Sequence, residues 1–280
     1  MTLQTIYIAR HGFRSNWLPP PHPPNPTGID SDPVLAPHGE EQAVELAAHI
    51  SKLQDKPQFI LSSPFYRCIQ TSSPIAAQLG VKIAIDRGVG EWFKRTRGIV
   101  PIPAGYEQLQ PHFPDVLGDE LLWNGSGIVP GADGEDENEI FARSAKFWTA
   151  FVPAFEAQYP EITSIVIVTH AATKIALGMQ LLKALSVHDN IQFQGETTKL
   201  RAGACSIDKY VLESDLWTLK ENGRTDFLKD GEEMNWNFDA VFEAGSDEDI
   251  KARQLAQNIA NAEIKKEEHK GEEFEVRSSL

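Results

Sequence analysis

Two apolar runs, each ending on a histidine, constrain this chain more than anything else in it. Thr5-Ile6-Tyr7-Ile8-Ala9 leads into Arg10-His11-Gly12, and Ser164-Ile165-Val166-Ile167-Val168-Thr169 leads into His170 and a helical stretch from Ala171 to Lys183. The first reads as a half-buried strand and the second as a buried one. Strand-like and helical patterns alternate through the first two thirds of the chain. The expected fold class is therefore α/β: three layers, with a mostly parallel central sheet and helices on both faces. Ligands of open α/β sheets gather at the carboxyl edge of the strands, so two histidines at two strand ends point to one site there.

The stretches between supply the rest of the framework. A loop from Leu18 to Pro33 holds five prolines between Pro19 and Pro24, which favours an extended, solvated course. Pro37-His38-Gly39-Glu40 opens a helix that buries Ala43, Leu46, Ala47 and Ile50. Phe59-Ile60-Leu61 reads as a strand, Ser62-Ser63-Pro64 as a turn, and Phe65 to Leu79 as a helix. A strand over Lys82 to Ile85 breaks at Gly88 and Gly90. Ile99 to Gly134, rich in Pro and Gly, is expected to be an insertion over one end of the sheet with only short helical turns. Asp136 to Tyr159 is helical, Cys205 to Leu212 a late strand, and Leu216 to Leu228 a hairpin turning at Asn222-Gly223. We expect one domain over residues 1–245 and a charged tail over 246–280, helical and fraying into a flexible end.

Charge and cysteine content narrow the function. Against 40 Asp and Glu stand 26 Lys and Arg, and the formal charge of −14 repels phosphate backbones, so direct nucleic-acid binding is not expected. Cys68 and Cys205 are too few for a disulfide framework, which suits a reducing compartment. No apolar run reaches spanning length and no leader pattern opens the chain, so the expected setting is cytoplasmic or nuclear, away from membrane.

The chemistry-bearing residues suit phosphoryl transfer. A neutral imidazole can attack phosphorus, which makes His11 the candidate nucleophile. The charge that spreads over the equatorial oxygens needs fixed cations, for which Arg10, Arg67 and Arg14 are candidates, with His170 as a further donor. The leaving oxygen needs a proton; Glu91 stands beside Trp92, whose apolar ring is expected to raise the carboxyl pKa. Trp17, Phe93 and Tyr106 read as core before they read as pocket walls. Cys68 does not fit a Cys-x5-Arg loop, because position 74 is Pro, and His22, His38 and His49 lack metal-ligand spacing.

Arg10-His11-Gly12, the Arg67 element, Gly90-Glu91-Trp92 and Thr169-His170-Ala171 together resemble the histidine phosphatase superfamily, whose fold is that of phosphoglycerate mutase. Leu35, Gly39, Gln42 and Ala43 resemble the same family's Leu-x-x-x-Gly-x-x-Gln-Ala helix start. The resemblance implies hydrolysis of phosphomonoesters through a phosphohistidine on His11, with no metal and no organic cofactor. Its implied substrates are phosphorylated small molecules, phosphopeptides or aryl phosphates. Phe13 stands where mutases of this family carry an acidic or polar residue, so mutase activity is not expected. Ser15 to Pro19, Gly28 to Asp32 and Glu232 to Asp239 further resemble phosphatase-like domains found within subunits of transcription assemblies. That likeness opens an alternative, a non-catalytic interaction or scaffold protein with protein partners. Two histidines, two arginines and a glutamate in family order argue against a dead site. The short stretch beyond the matched segments leads us to expect a free-standing relative.

Overall fold

The two histidine-bearing runs are neighbours in space because both are apolar on each face and pair in register. The computed structural model describes residues 2–98, 100–242, 246, 248–253 and 255. Its strands are β1 (Thr5–Arg10), β2 (Phe59–Ser62), β3 (Ile83–Ile85), β4 (Ser164–Thr169), β5 (Ile191–Phe193), β6 (Glu196–Thr198), β7 (Ile207–Glu213) and β8 (Leu216–Arg224). Its α-helices are α1 (Pro37–Ile50), α2 (Tyr66–Leu79), α3 (Tyr106–Leu109), α4 (Glu137–Gln158) and α5 (Ala171–Leu181). The main sheet has six strands in the order β3-β2-β4-β1-β7-β8, while β5 and β6 form a separate antiparallel pair. β1 to β4 are mutually parallel and β7 and β8 antiparallel, so the sheet is mostly parallel as the strand-helix alternation requires. Arg10 lies opposite Thr169, which sends His11 and His170 off the same edge side by side.

Side-chain alternation sorts the strands into two buried faces. Tyr7, Ala9, Ile60, Val166 and Val168 pack with Leu46, Ile50, Ile69 and Ile75 of α1 and α2 in one cluster. Ile6, Ile8, Leu61, Ile165 and Ile167 point the other way and are equally buried. On that face Phe59 meets Phe155 of α4 edge-on at 5.0 Å, and Phe147, Phe151 and Phe155 stack at i, i+4 spacing with centroids 5.0 and 5.1 Å apart. α4 begins where Asp136 accepts from the Glu139 N–H and Glu139 accepts from the Asp136 N–H, a reciprocal cap.

The late hairpin differs from expectation. β7 and β8 turn at Ser214-Asp215, whose φ angles of 49° and 65° suit the right-handed twist of the flanking strands. Asn222-Gly223 lie inside β8, where the ladder loses its regular register. Positive φ at Gly223 forms a bulge here, not a turn: its N–H donates to Asp208 Oδ1 at 2.6 Å, and Asn222 bonds to Arg201 N and Lys199 O. The 99–134 stretch holds only α3 and turns as expected, with Leu117 bridging to Ile83 at the sheet edge; Ile99 lies outside the described residues. Residues 1–239 form one compact unit and 240–280 another. In the second, 248–253 are helical and Asp249 pairs with Arg253; the rest of the expected charged tail lies outside the described residues.

The start of α1 is pressed against the segment that follows His11. A Cβ on Gly39 would stand 2.1 Å from the Phe13 carbonyl oxygen, and Gln42 Oε1 accepts from the Phe13 N–H at 3.0 Å. Gly39→Ala therefore drives a methyl into backbone that cannot yield. We expect it to cost at least about 3 kcal/mol, the upper end for overpacking, read as a lowered urea midpoint with unchanged m-value.

Candidate active site

Parallel strands that end together deliver the site's parts. The ladder continues past the strands through His11 N to Thr169 O at 2.9 Å, Ser63 N to Val168 O at 2.9 Å and Asp86 N to Ser62 O at 3.0 Å. The loop after β3 is then tied down carbonyl by carbonyl. Thr169 Oγ1 donates to Val89 O at 2.6 Å, Thr173 Oγ1 to Gly90 O at 2.7 Å, and Arg143 Nη1 to Gly88 O at 2.9 Å. Arg143 is itself held by Glu135 at 2.8 Å in a buried pair. The next residue, Glu91, is thus presented to the two histidines.

The His11 tautomer follows from its neighbour. Nδ1 lies 2.8 Å from Gly12 O, and a carbonyl only accepts, so Nδ1 carries the proton and Nε2 keeps its lone pair. Burial, then Arg67, Arg10, His170 and Arg14, hold the His11 pKa well below its ordinary value, so the ring is neutral. The same reasoning applies to His170. Nδ1 stands 3.1 Å from Glu91 Oε2 and donates to it, while Nε2 accepts from Ser63 Oγ at 2.7 Å. Burial leads the causes that bring its pKa down to about 4, with Glu91 opposing and Arg67 assisting.

Glu91 behaves opposite to expectation. Burial does push its pKa up, but His170, Arg67 and Arg14 outweigh burial and hold it well below the usual carboxylate range. Trp92, expected to provide an apolar flank, instead turns its Nε1 to Glu135 O at 2.9 Å and gives its backbone N–H to Glu91 at 3.0 Å. Arg67 Nη2 lies 3.0 Å from Glu91 Oε2 and Nη1 3.3 Å from Asp32 Oδ1, so one buried guanidinium joins two carboxylates.

All six residues expected in the site, His11, Glu91, His170, Arg10, Arg67 and Arg14, are brought together. Arg10 and Arg14 flank one ring: their guanidinium carbons sit 5.2 and 4.7 Å from the Trp17 centroid. Burial first, and then Arg67, lowers the Arg14 pKa to about 9. Arg10 Nη1 donates to Ala202 O at 2.5 Å and Met234 O at 2.6 Å, so this arm anchors backbone from two late segments. Trp17 and Phe93 are buried as expected, while Tyr106 is only half-buried; Trp17 also borders His11 at 5.9 Å, and Phe93 lines a cavity beside Glu91. Cys68 is buried with its thiol pKa pushed up by burial, consistent with a small apolar group. Sequence reasoning missed Asp32, Ser63, Arg143 and the Met234 carbonyl. Asp32, Ser63 and Met234 left a trace, in the Gly28 to Asp32 segment, the Ser62-Ser63-Pro64 turn and the Glu232 to Asp239 segment; Arg143 left none.

His11, Glu91 and His170 each bring one ligand-type atom within 4.8 Å of the others, which is the spacing of a metal cluster. The charges around them favour an anion: buried Arg10, Arg14 and Arg67 outnumber buried Asp32 and the partly exposed Glu91.

Comparison with known proteins gives the family. The model of the histidine phosphatase superfamily (branch 1) matches residues 6–219, and the chain belongs to that family. It is 45% identical over 285 aligned positions to the transcription factor tau 55 kDa subunit of Saccharomyces cerevisiae, covering 93% of this chain and 64% of that relative, less than two thirds of its length. Among solved structures, ecdysone phosphate phosphatase from Bombix mori, in complex with tungstate, superposes with a TM-score of 0.59 at 15% identity over 79% of this chain and 93% of its own. A mycobacterial glucosyl-3-phosphoglycerate phosphatase gives a TM-score of 0.51 at 20% identity over 79% of this chain and 100% of its own. The fold is the phosphoglycerate mutase-like fold shared by these phosphatases.

The pKa directions set a pH dependence. The folded values of His11 and His170 lie below their ordinary 6.5, so between pH 6.5 and about 4 the unfolded chain binds more protons and stability falls as pH drops. Glu91, lowered from 4.5, adds a further loss below that pH. We expect urea midpoints to decline steadily from pH 7 to 4, and imidazole NMR to show both histidines neutral at pH 6; ordinary titration near 6.5 contradicts the assignment.

Proposed function

We propose that this protein is a phosphatase that hydrolyses phosphomonoesters through a phosphohistidine on His11. The observation that carries this reading is the neutral His11, its Nε2 lone pair free of the Gly12 carbonyl and set among Arg10, Arg14 and Arg67. The incoming phosphoryl group is a dianion that those guanidiniums attract. Its oxygens compete with Glu91 for the donors of Arg67 and His170. Deprived of these partners and placed beside new negative charge, Glu91 gains proton affinity and takes up the proton it later gives to the leaving oxygen. Nε2 then forms the N–P bond as the P–O bond breaks and Glu91 protonates the alcohol. In the second half, the Glu91 carboxylate removes a proton from water, the resulting hydroxide displaces His11 from phosphorus, and inorganic phosphate leaves. No step draws on a metal or organic cofactor. Phosphorylated small molecules, phosphopeptides and aryl phosphates all satisfy this chemistry.

The 45% identical transcription-factor subunit supports a second reading, in which the domain also works within a protein assembly in the nucleus. The two readings are compatible, and turnover separates the catalytic one.

With p-nitrophenyl phosphate, His11→Ala is expected to reduce turnover to background, and Arg67→Lys to lower kcat by about 10²–10³. Glu91→Gln is expected to cost about 10²–10⁴ on an alkyl phosphate and less on the nitrophenyl ester, whose phenolate leaves unprotonated. An alkaline quench during turnover should trap labelled phosphohistidine. Equal rates for wild type and His11→Ala remove the catalytic reading.

A further inference from the structure

A cavity of about 180 Å³ opens beside the candidate site, and Glu91 lies in its wall. The rest of the wall is mostly apolar: Phe65, Phe93, Pro101, Ile102, Pro103 and Pro130, the last four contributed by the 99–134 insertion. A leaving group protonated by Glu91 departs on the Glu91 side of the phosphorus, and this cavity lies against Glu91. A void of about 150 Å³ with apolar walls accommodates one benzene ring, so the fit is to a ring-sized group.

One lining residue breaks the apolar pattern. Arg87 is the only cation of the wall among the described lining residues, and its side chain has no hydrogen bond, ion pair or ring contact among the described residues. Arg95, Arg143, Arg201 and Arg224, by contrast, each pair with a carboxylate. Its neighbour Asp86 is taken by other donors: Gly88 N, Trp123 Nε1 and Ser126 N, each at 2.7 Å. These bonds hold the insertion against the Arg87–Val89 turn, while Arg143 and Thr169 hold the turn's carbonyls from below. The guanidinium thus starts from a fixed backbone. It stands at the mouth of an apolar cavity in a chain of formal charge −14, where most of the surface repels anions.

We propose that Arg87 is an anion subsite for the leaving group: the preferred substrates are phosphomonoesters of a compact, ring-sized alcohol carrying a carboxylate or a second phosphate. This rests on the phosphatase reading above and specifies the substrate class for that site. The same charge can be delivered by a small acid or by an acidic residue beside a phosphorylated tyrosine.

The test compares phenyl phosphate with 4-carboxyphenyl phosphate, and phosphotyrosyl peptides flanked by Glu with the same peptides flanked by Gln. Wild type is expected to prefer the acidic member of a pair by about tenfold or more in kcat/KM, the scale of one charge-assisted hydrogen bond. In Arg87→Gln the ratio falls to about one, and Arg87→Lys keeps part of it. A preference confined to the small esters assigns a metabolite source, and one confined to the peptides a protein source. No preference in either pair, or one that Arg87→Gln leaves intact, overturns the subsite. Benzylphosphonate and its 4-carboxy derivative, compared by calorimetric binding, read the subsite without turnover. Loss of the phosphatase reading, seen as no turnover of any ester, is thereby told apart from loss of the subsite.

Discussion

A single buried guanidinium holds the candidate site together. Arg67 is fully enclosed, with one terminal nitrogen on Asp32 and the other on Glu91, and it lies 3.2 Å from His170. A buried charge is tolerated only when it is paired and hydrogen-bonded. Arg67 therefore demands both carboxylates, and each carboxylate brings its own segment. Asp32 draws in the proline-rich loop and accepts from the Tyr66 N–H, so it also fixes the first turn of the helix that carries Arg67. Glu91 draws in the loop after β3. Loop, helix and strand edge converge because one cation has to be satisfied from both sides.

The features legible in the sequence were those with a periodic or local signature. Unbroken apolar runs over Ile6 to Ala9 and Ile165 to Val168 marked two strands, and the histidines that follow them pointed to one edge, where the paired strands place His11 and His170. Gly39 and Gln42 were recognisable from a pattern, though not for the reason the structure supplies, a backbone approach that excludes any Cβ. The features missed depend on distant partners. Nothing local to Asn222-Gly223 shows that Asp208 and Arg201 will bind it and make a bulge in place of a turn. The charge state of Glu91 was misjudged because Trp92 is adjacent in sequence, whereas His170 and Arg67, which decide it, are remote.

The insertion gains meaning from the same network. Asp86, at the end of β3, gathers Trp123 and Ser126, so a segment with almost no regular structure is fastened to the sheet by side chains. Buried Arg143 fastens the turn between them to α4. Variation in the 99–134 stretch can thus reshape the cavity wall beside Glu91 while the strand edge that carries His11 and His170 keeps its geometry.

Arg10 adds a feature of timing. It is the tenth residue of the chain, yet its Nη1 rests on the carbonyl of Met234, 224 positions later. During synthesis the early strands can pair and bury their apolar faces, but this guanidinium has no such rest until the last part of the compact unit has folded back. The finished setting of Arg10 at this edge is thus deferred to the end of folding, and a partly made chain presents the early strands without it.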